Sequence, residues 1–222
     1  MFKAVLFDCD GVLVDSEVLA LEVELKLLAE HGLTFAHEDY VTRFMGLSYE
    51  KFHAVMHDEA MARLGAPLPV SFRDTLATRL RQTMIARLTA IAGAVDAVAA
   101  TRLPKSVASS STKEGLERKL RQVGLWQQFD PHVYSAEHVT HAKPAPDLFL
   151  YASARLGIAP ADCLVIEDSI NGVKAGIAAG MTVWGFLGGG HADAGLGERL
   201  KVAGAQKLLM DWAQAMPYLA AL

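Results

Sequence analysis

The sequence predicts an α/β protein: a doubly wound parallel sheet, interrupted after its first strand by an all-helical insertion. Three observations predict it. Short unbroken apolar runs, Ala4-Val-Leu-Phe7 and Leu164-Val-Ile166, suit strands buried on both faces of a parallel sheet. Beyond residue 105, strand-like and helix-like segments alternate, the rhythm of a parallel sheet with helices on both faces. Between them lie some seventy residues whose pattern is helical throughout, the signature of an insertion. At 222 residues and 52% hydrophobic, the chain can bury one core plus a small second lobe.

In order, the first strand ends in Asp8-Cys-Asp10-Gly11. Asp15-Ser16 can cap a helix over 17–31, where Val18, Leu21, Leu25 and Leu28 share a stripe and Gly32 follows the end. Further helices are expected at 38–46, 48–64 and 71–88, separated by Gly46 and by Gly65-Ala-Pro67-Leu-Pro69. The expected division is a strand-containing core over 1–14 and 90–222 and an insertion over 15–89. Within the core, strands are expected at 105–109, weakly at 132–135, at 164–166 and at 182–186. Helices are expected at 111–123, at 146–156 with Pro146 in the first turn, and at 170–179 closed by Gly180.

Composition narrows the partners. A net charge of −4 offers no electrostatic case for nucleic acid or an anionic membrane. Cys9 and Cys163 sit in apolar strand-like runs and are expected to be buried free thiols. Lys3 and the four apolar residues after it are too short for a secretory signal. The longest uncharged stretch, 175–192, holds six glycines, so no membrane span is expected. The expectation is a soluble, cytoplasmic monomer.

In a doubly wound sheet, ligands bind outside the carboxyl ends of the strands. Four strand ends or following loops there carry complementary groups. Asp8 and Asp10, spaced i and i+2, point to one side of an extended chain. Ser109-Ser110-Ser111 leads into a helix whose first amides can take an anion. Lys143 precedes Pro144, which restricts its backbone. Glu167 and Asp168 end a buried strand. Acids, a hydroxyl with free amides and a cation are what magnesium-assisted phosphoryl transfer needs.

These residues also carry a resemblance. Asp8-x-Asp10-Gly11-Val-Leu-Val-Asp15-Ser-Glu17, Ser109, Lys143-Pro144-Ala-Pro146-Asp147, and Ile166-Glu167-Asp168-Ser169 with Gly172-Val-x-Ala175-Gly176-x-x-Ala179-Gly180-Met181 resemble, in order, the motifs of the haloacid dehalogenase-like (HAD) hydrolase superfamily. The nearer likeness is to its sugar-phosphate phosphatase and β-phosphoglucomutase-like branch. The resemblance implies a Rossmann-like core with a helical cap that closes over the active site. It implies Asp8 as nucleophile and Asp10 as acid and base. It places Mg²⁺ on Asp8, the Asp10 backbone carbonyl, Glu167 and Asp168, and the phosphoryl group on Ser109, Ser110 and Lys143. A small phosphorylated metabolite is the implied partner.

Dehalogenases lack the second acid of the first motif, and Asp10 is present here. Mutases of the branch use a cap histidine, lysine and arginine; by an ungapped match these positions are Ala20, Met45 and Tyr49. Hydrolysis of a sugar, sugar-acid or polyol phosphate through an aspartyl-phosphate is therefore expected over sugar-phosphate mutation. A non-enzymatic phospho-aspartate receiver is shorter and has no helical insertion. In the insertion, Arg43 and Gly46 are candidate substrate contacts. His53 and His57, at i and i+4, have no third ligand suitably spaced for zinc and read as a polar helix face. Arg73, Arg79, Arg81 and Arg87 read as a wet helix face. Gly188-Gly-Gly190 reads as a shaped cleft rim.

Overall fold

The computed structural model describes residues 1–44, 47 and 49–222. Strand β1 (Ala4–Phe7) is followed by helices α1 (Ser16–Glu30), α2 (His37–Phe44), α3 (Tyr49–Leu64) and α4 (Phe72–Arg87). The chain continues through α5 (Ala94–Ala100), β2 (Lys105–Ser109), α6 (Lys113–Gln122), α7 (Trp126–Phe129) and β3 (Val133–Ser135). It ends with α8 (Asp147–Leu156), β4 (Cys163–Glu167), α9 (Ile170–Ala178), β5 (Thr182–Phe186), α10 (Leu196–Ala203), β6 (Lys207–Leu209) and α11 (Trp212–Ala220).

Among the described residues, six strands pair parallel, in the order β3-β2-β1-β4-β5-β6. This is the predicted doubly wound sheet. Every residue of β1 and of β4 is buried, which is why both read as unbroken apolar runs. The order reverses between β1 and β4, so the crevice beyond their carboxyl ends is the topological switch point where such sheets bind ligands. Phe7 pairs with Ile166 and with Val107, and the Asp8 amide donates to the Ile166 carbonyl at 2.9 Å. That register sets Asp8 level with Glu167 on one side and one residue short of Ser109 on the other.

The chain divides into two compact units, Met1–Asp15 with Leu88–Leu222, and Ser16–Arg87. Asp15 and Thr89 lie in the strand-containing unit, where the Asp15 amide donates to the Thr89 carbonyl at 3.1 Å. In that unit Trp212 packs on Phe7 and Phe186, and its Nε1–H donates to the Val12 carbonyl at 2.9 Å, tying α11 to the loop after β1. The helical unit has its own core, including Leu28, Tyr40, Phe44, Phe52, Met56 and Phe72. His53 belongs to that core rather than to a polar face: it is 5% exposed and meets Phe52 and Phe72 edge-on. Its spacing one residue from Phe52 and three from Met56 turns it inward. Cys9 and Cys163 are buried free thiols. No helix among the described residues is long and apolar enough to cross a membrane.

Candidate active site

The loop after β1 is turned by Gly11, at φ +75°, with the Gly11 amide donating to the Val14 carbonyl at 2.9 Å. A Cβ on Gly11 would lie 1.9 Å from Asp168 Oδ2, so only glycine lets the loop and that carboxylate share the space. Asp8, at the mouth of β1, is buried. Its Oδ1 accepts from Lys143 Nζ at 2.6 Å, and the same ammonium donates to Glu167 Oε1 at 2.6 Å. The Lys143 side chain is 3% exposed and lies over the Phe149 ring. Burial alone would lower its pKa, but Asp8 and Glu167 outweigh burial and hold the ammonium above its ordinary range.

Glu167 is also fixed from its other oxygen: Oε2 accepts from the Ser169 amide and hydroxyl, both at 2.9 Å. Ser169 caps α9, its hydroxyl accepting from the Gly172 amide at 3.0 Å. The carboxylate therefore lies against the start of α9, where helix dipole and free amides favour an anion. A Cβ on Gly172 would fall 1.7 Å from Glu167 Oε1. Asp168 Oδ2 is 3.1 Å from His191 Nε2.

Asp10 is held differently. Its Oδ1 accepts from Lys119 Nζ, and its Oδ2 accepts from Ser111 Oγ at 2.8 Å and from Ser109 Oγ at 3.5 Å. Ser109 is buried and its hydroxyl accepts from the Ser111 amide at 3.1 Å, whereas Ser110 is exposed.

The carboxylates outnumber their cations. Burial first, then Glu167, Asp168 and Asp10 against the opposing pull of Lys143, leave the Asp8 pKa well above the usual carboxylate range. Burial likewise raises Asp168, with Glu167 adding and His191 opposing. Oxygen atoms of Asp8, Glu167 and Asp168 lie within 4.8 Å of one another. Three buried, hard oxygen donors crowded on one another fit a small divalent cation, whose charge would favour the ionised forms that burial opposes.

Of the residues singled out from the sequence, Asp8, Lys143, Glu167 and Asp168 are in direct or near contact, and Asp10 joins Ser109 beside them. Arg43 is engaged within the helical unit, paired with Glu59 and, at 3.3 Å, with Asp39. Gly46 and Met45 lie outside the described residues, as does the Tyr49 side chain. Arg79 and Arg87 pair with Glu30 and Glu22.

Three site groups escaped the reading of the sequence: Lys119, the Ser111 side chain and His191. Helix α6 starts at Lys113, not at residue 111, because Thr112 is its N-cap, accepting from the Gly115 amide at 3.2 Å. Ser111 thus stays in the loop. Lys119 falls between Leu116 and Leu120, both buried, and a charge inside that apolar stripe was its signal. His191 follows the glycine run, which brings the backbone close to the first loop: a Cβ on Gly189 would lie 2.8 Å from the Gly11 carbonyl oxygen.

Comparison with known proteins agrees with this fold. The family description "haloacid dehalogenase-like hydrolase" matches residues 2–180. The 6-phosphogluconate phosphatase of Escherichia coli K12 is 29% identical over 195 residues, covering 85% of this chain and 84% of that protein. A HAD family hydrolase of Deinococcus radiodurans, solved with bound phosphate and sodium, is 38% identical with a TM-score of 0.84, covering 99% of this chain and 96% of that one. A HAD-like protein of unknown function from Agrobacterium tumefaciens is 34% identical with a TM-score of 0.90, covering 100% and 98%. The chain belongs to the haloacid dehalogenase-like hydrolases. It is an enzyme of the phosphatase kind within that family.

Proposed function

We propose that the chain is a Mg²⁺-dependent phosphatase that hydrolyses a small phosphate monoester through an aspartyl-phosphate on Asp8. The substrate class is a sugar, sugar-acid or polyol phosphate, in keeping with the 6-phosphogluconate phosphatase among its relatives. The helical unit over residues 16–87 is read as the cap that selects it. The observation that carries the reading is the buried cluster of Asp8, Glu167 and Asp168 at the switch point, with Lys143 bridging the first two.

In the first half-reaction an Asp8 carboxylate oxygen attacks phosphorus, the bond from phosphorus to the ester oxygen breaks, and Asp10 gives its proton to the departing alkoxide. In the second, a water attacks phosphorus while Asp10 takes its proton, and the bond from phosphorus to Asp8 breaks. Asp10 ends as it began. Ser109 and the Ser110 amide hold phosphoryl oxygens, and Lys143 offsets their charge beside Asp8. Mg²⁺, held by Asp8, the Asp10 carbonyl and Asp168 with Glu167 in support, would neutralise phosphate charge so that an anionic nucleophile can approach. Hydrolysis is preferred to mutation because Ala20, Met45 and Tyr49 stand where the branch's mutases carry ionic groups for a second phosphate.

The test is phosphate release from 6-phosphogluconate, sugar and polyol phosphates, phosphoglycolate and a nucleotide, with and without Mg²⁺. Release from at least one ester is expected, abolished by EDTA and reduced to background in Asp8→Asn. An Asp8→Asn enzyme working at the wild-type rate would remove the nucleophile and the reading with it. Adding β-glucose 1-phosphate with its bisphosphate activator separates hydrolysis from mutation.

A further inference from the structure

A lysine ammonium is costly to bury unless it is paired, and the Lys119 side chain is only 13% exposed. Lys119 stands on the second turn of α6, and helical side chains lean toward their helix N-terminus, here toward the loop that follows β2. Its ammonium donates to Asp10 Oδ1 and, at 3.0 Å, to Ser111 Oγ. Ser111 Oγ in turn donates to Asp10 Oδ2 at 2.8 Å. Ser111 is itself anchored, its amide on Ser109 Oγ and its carbonyl accepting from Ser135 Oγ at 2.6 Å. Besides a longer contact from Ser109 Oγ at 3.5 Å, the carboxylate is thus held at its two oxygens by a charged donor, Lys119, and a neutral one, Ser111.

We propose that Lys119, with Ser111, is the positioning pair that fixes the direction of the Asp10 carboxylate for both of its proton transfers. This rests on the acid–base role proposed above for Asp10. The two holds differ in kind: the charge-assisted bond from Lys119 is the stronger, and the neutral Ser111 bond is the one that yields when an oxygen turns to substrate. A carboxylate left free to rotate loses the alignment on which proton transfer depends, while the nucleophile Asp8, held by Lys143, keeps its own. Lys119 acts through Asp10 and is distinct from the phosphate-holding set.

The test separates the two half-reactions. With p-nitrophenyl phosphate the leaving group departs without a proton, so the first turnover needs no acid, whereas 6-phosphogluconate needs one. In Lys119→Met the first-turnover burst of p-nitrophenol is expected within about 3-fold of wild type. Steady-state turnover of 6-phosphogluconate is expected to fall about 10- to 100-fold, part of the 10²- to 10⁴-fold that general acid–base catalysis supplies. Its KM should change little. Lys119→Arg should restore part of the rate, and Ser111→Ala should show the same selectivity more weakly. Equal loss of burst and turnover in Lys119→Met and Ser111→Ala, or no loss in either, overturns the proposal. Should Lys119→Met not fold, the Arg and Ala variants decide by the same pattern. Asp10→Asn is the control for the underlying reading: full 6-phosphogluconate turnover in that variant sinks the acid–base role itself. Selective loss in Asp10→Asn without it in the Lys119 and Ser111 variants sinks only the positioning.

Discussion

Lys143 is placed to hold together charges that would otherwise repel. Its buried ammonium bridges Asp8 and Glu167 at 2.6 Å each. Removing one partner of a buried ionic group leaves the rest uncompensated, which costs about 3–5 kcal/mol. Lys143→Met is thus expected to lose activity and about that much stability in urea melts run in EDTA. Mg²⁺ should return part of the stability and none of the activity; a variant as stable as wild type in EDTA would refute the bridging role. Lys143 could be picked from the sequence because Lys-Pro-x-Pro marks a stiff loop. Lys119 could not be picked that way. It sits in Arg118-Lys-Leu-Arg121, where a cation resembles any solvated helix residue, and only the burial of Leu116 and Leu120 on either side turns it inward.

The strand ends and the helices after them govern the next scale. Strands β1 and β4 could be read from sequence because full burial demands continuous apolar residues. Strand β6 was not: three residues, Lys207 to Leu209, at the sheet edge carry too short a pattern to separate from the ends of the neighbouring helices. Helices α10 and α11 escaped with it. At the β4–α9 junction the sequence showed an acid pair followed by a glycine, but not that the glycine makes room for the acid. Gly172→Ala measures that. In an open helix interior the change to alanine gains about 1 kcal/mol. Here the new methyl meets the Glu167 carboxylate, so a loss of about 1–3 kcal/mol is expected instead, together with weaker Mg²⁺ binding by calorimetry. A more stable variant with unchanged Mg²⁺ affinity would show that Glu167 does not depend on that space.

For the molecule as a whole, each unit carries its own response to pH. In the helical unit Glu24 accepts from the Tyr40 hydroxyl at 2.9 Å, and burial, only partly opposed by that bond, pushes its pKa from 4.5 up to about 7. A raised acid pKa means that the folded state holds the proton more tightly than the unfolded chain. Its stabilising contribution is therefore complete below about pH 4.5 and is lost as pH climbs through about 7, a change of at most about 3 kcal/mol. In the strand-containing unit Asp8 and Asp168 are raised too, burial again the leading cause, and their contribution falls in the same direction. Melts in EDTA should thus lose stability steadily between pH 5 and 8. Mg²⁺ favours ionised Asp8 and Asp168, so it should flatten the part of the slope that belongs to the acid cluster, and at a hundred times its Kd add about 2.7 kcal/mol at neutral pH. Glu24→Gln should remove the other part in EDTA and in Mg²⁺ alike, because the helical unit's carboxyl is no member of the metal cluster. With both changes together the curve should be nearly level from pH 5 to 8. A slope that Glu24→Gln leaves intact would place the pH response entirely on the acids at the strand ends.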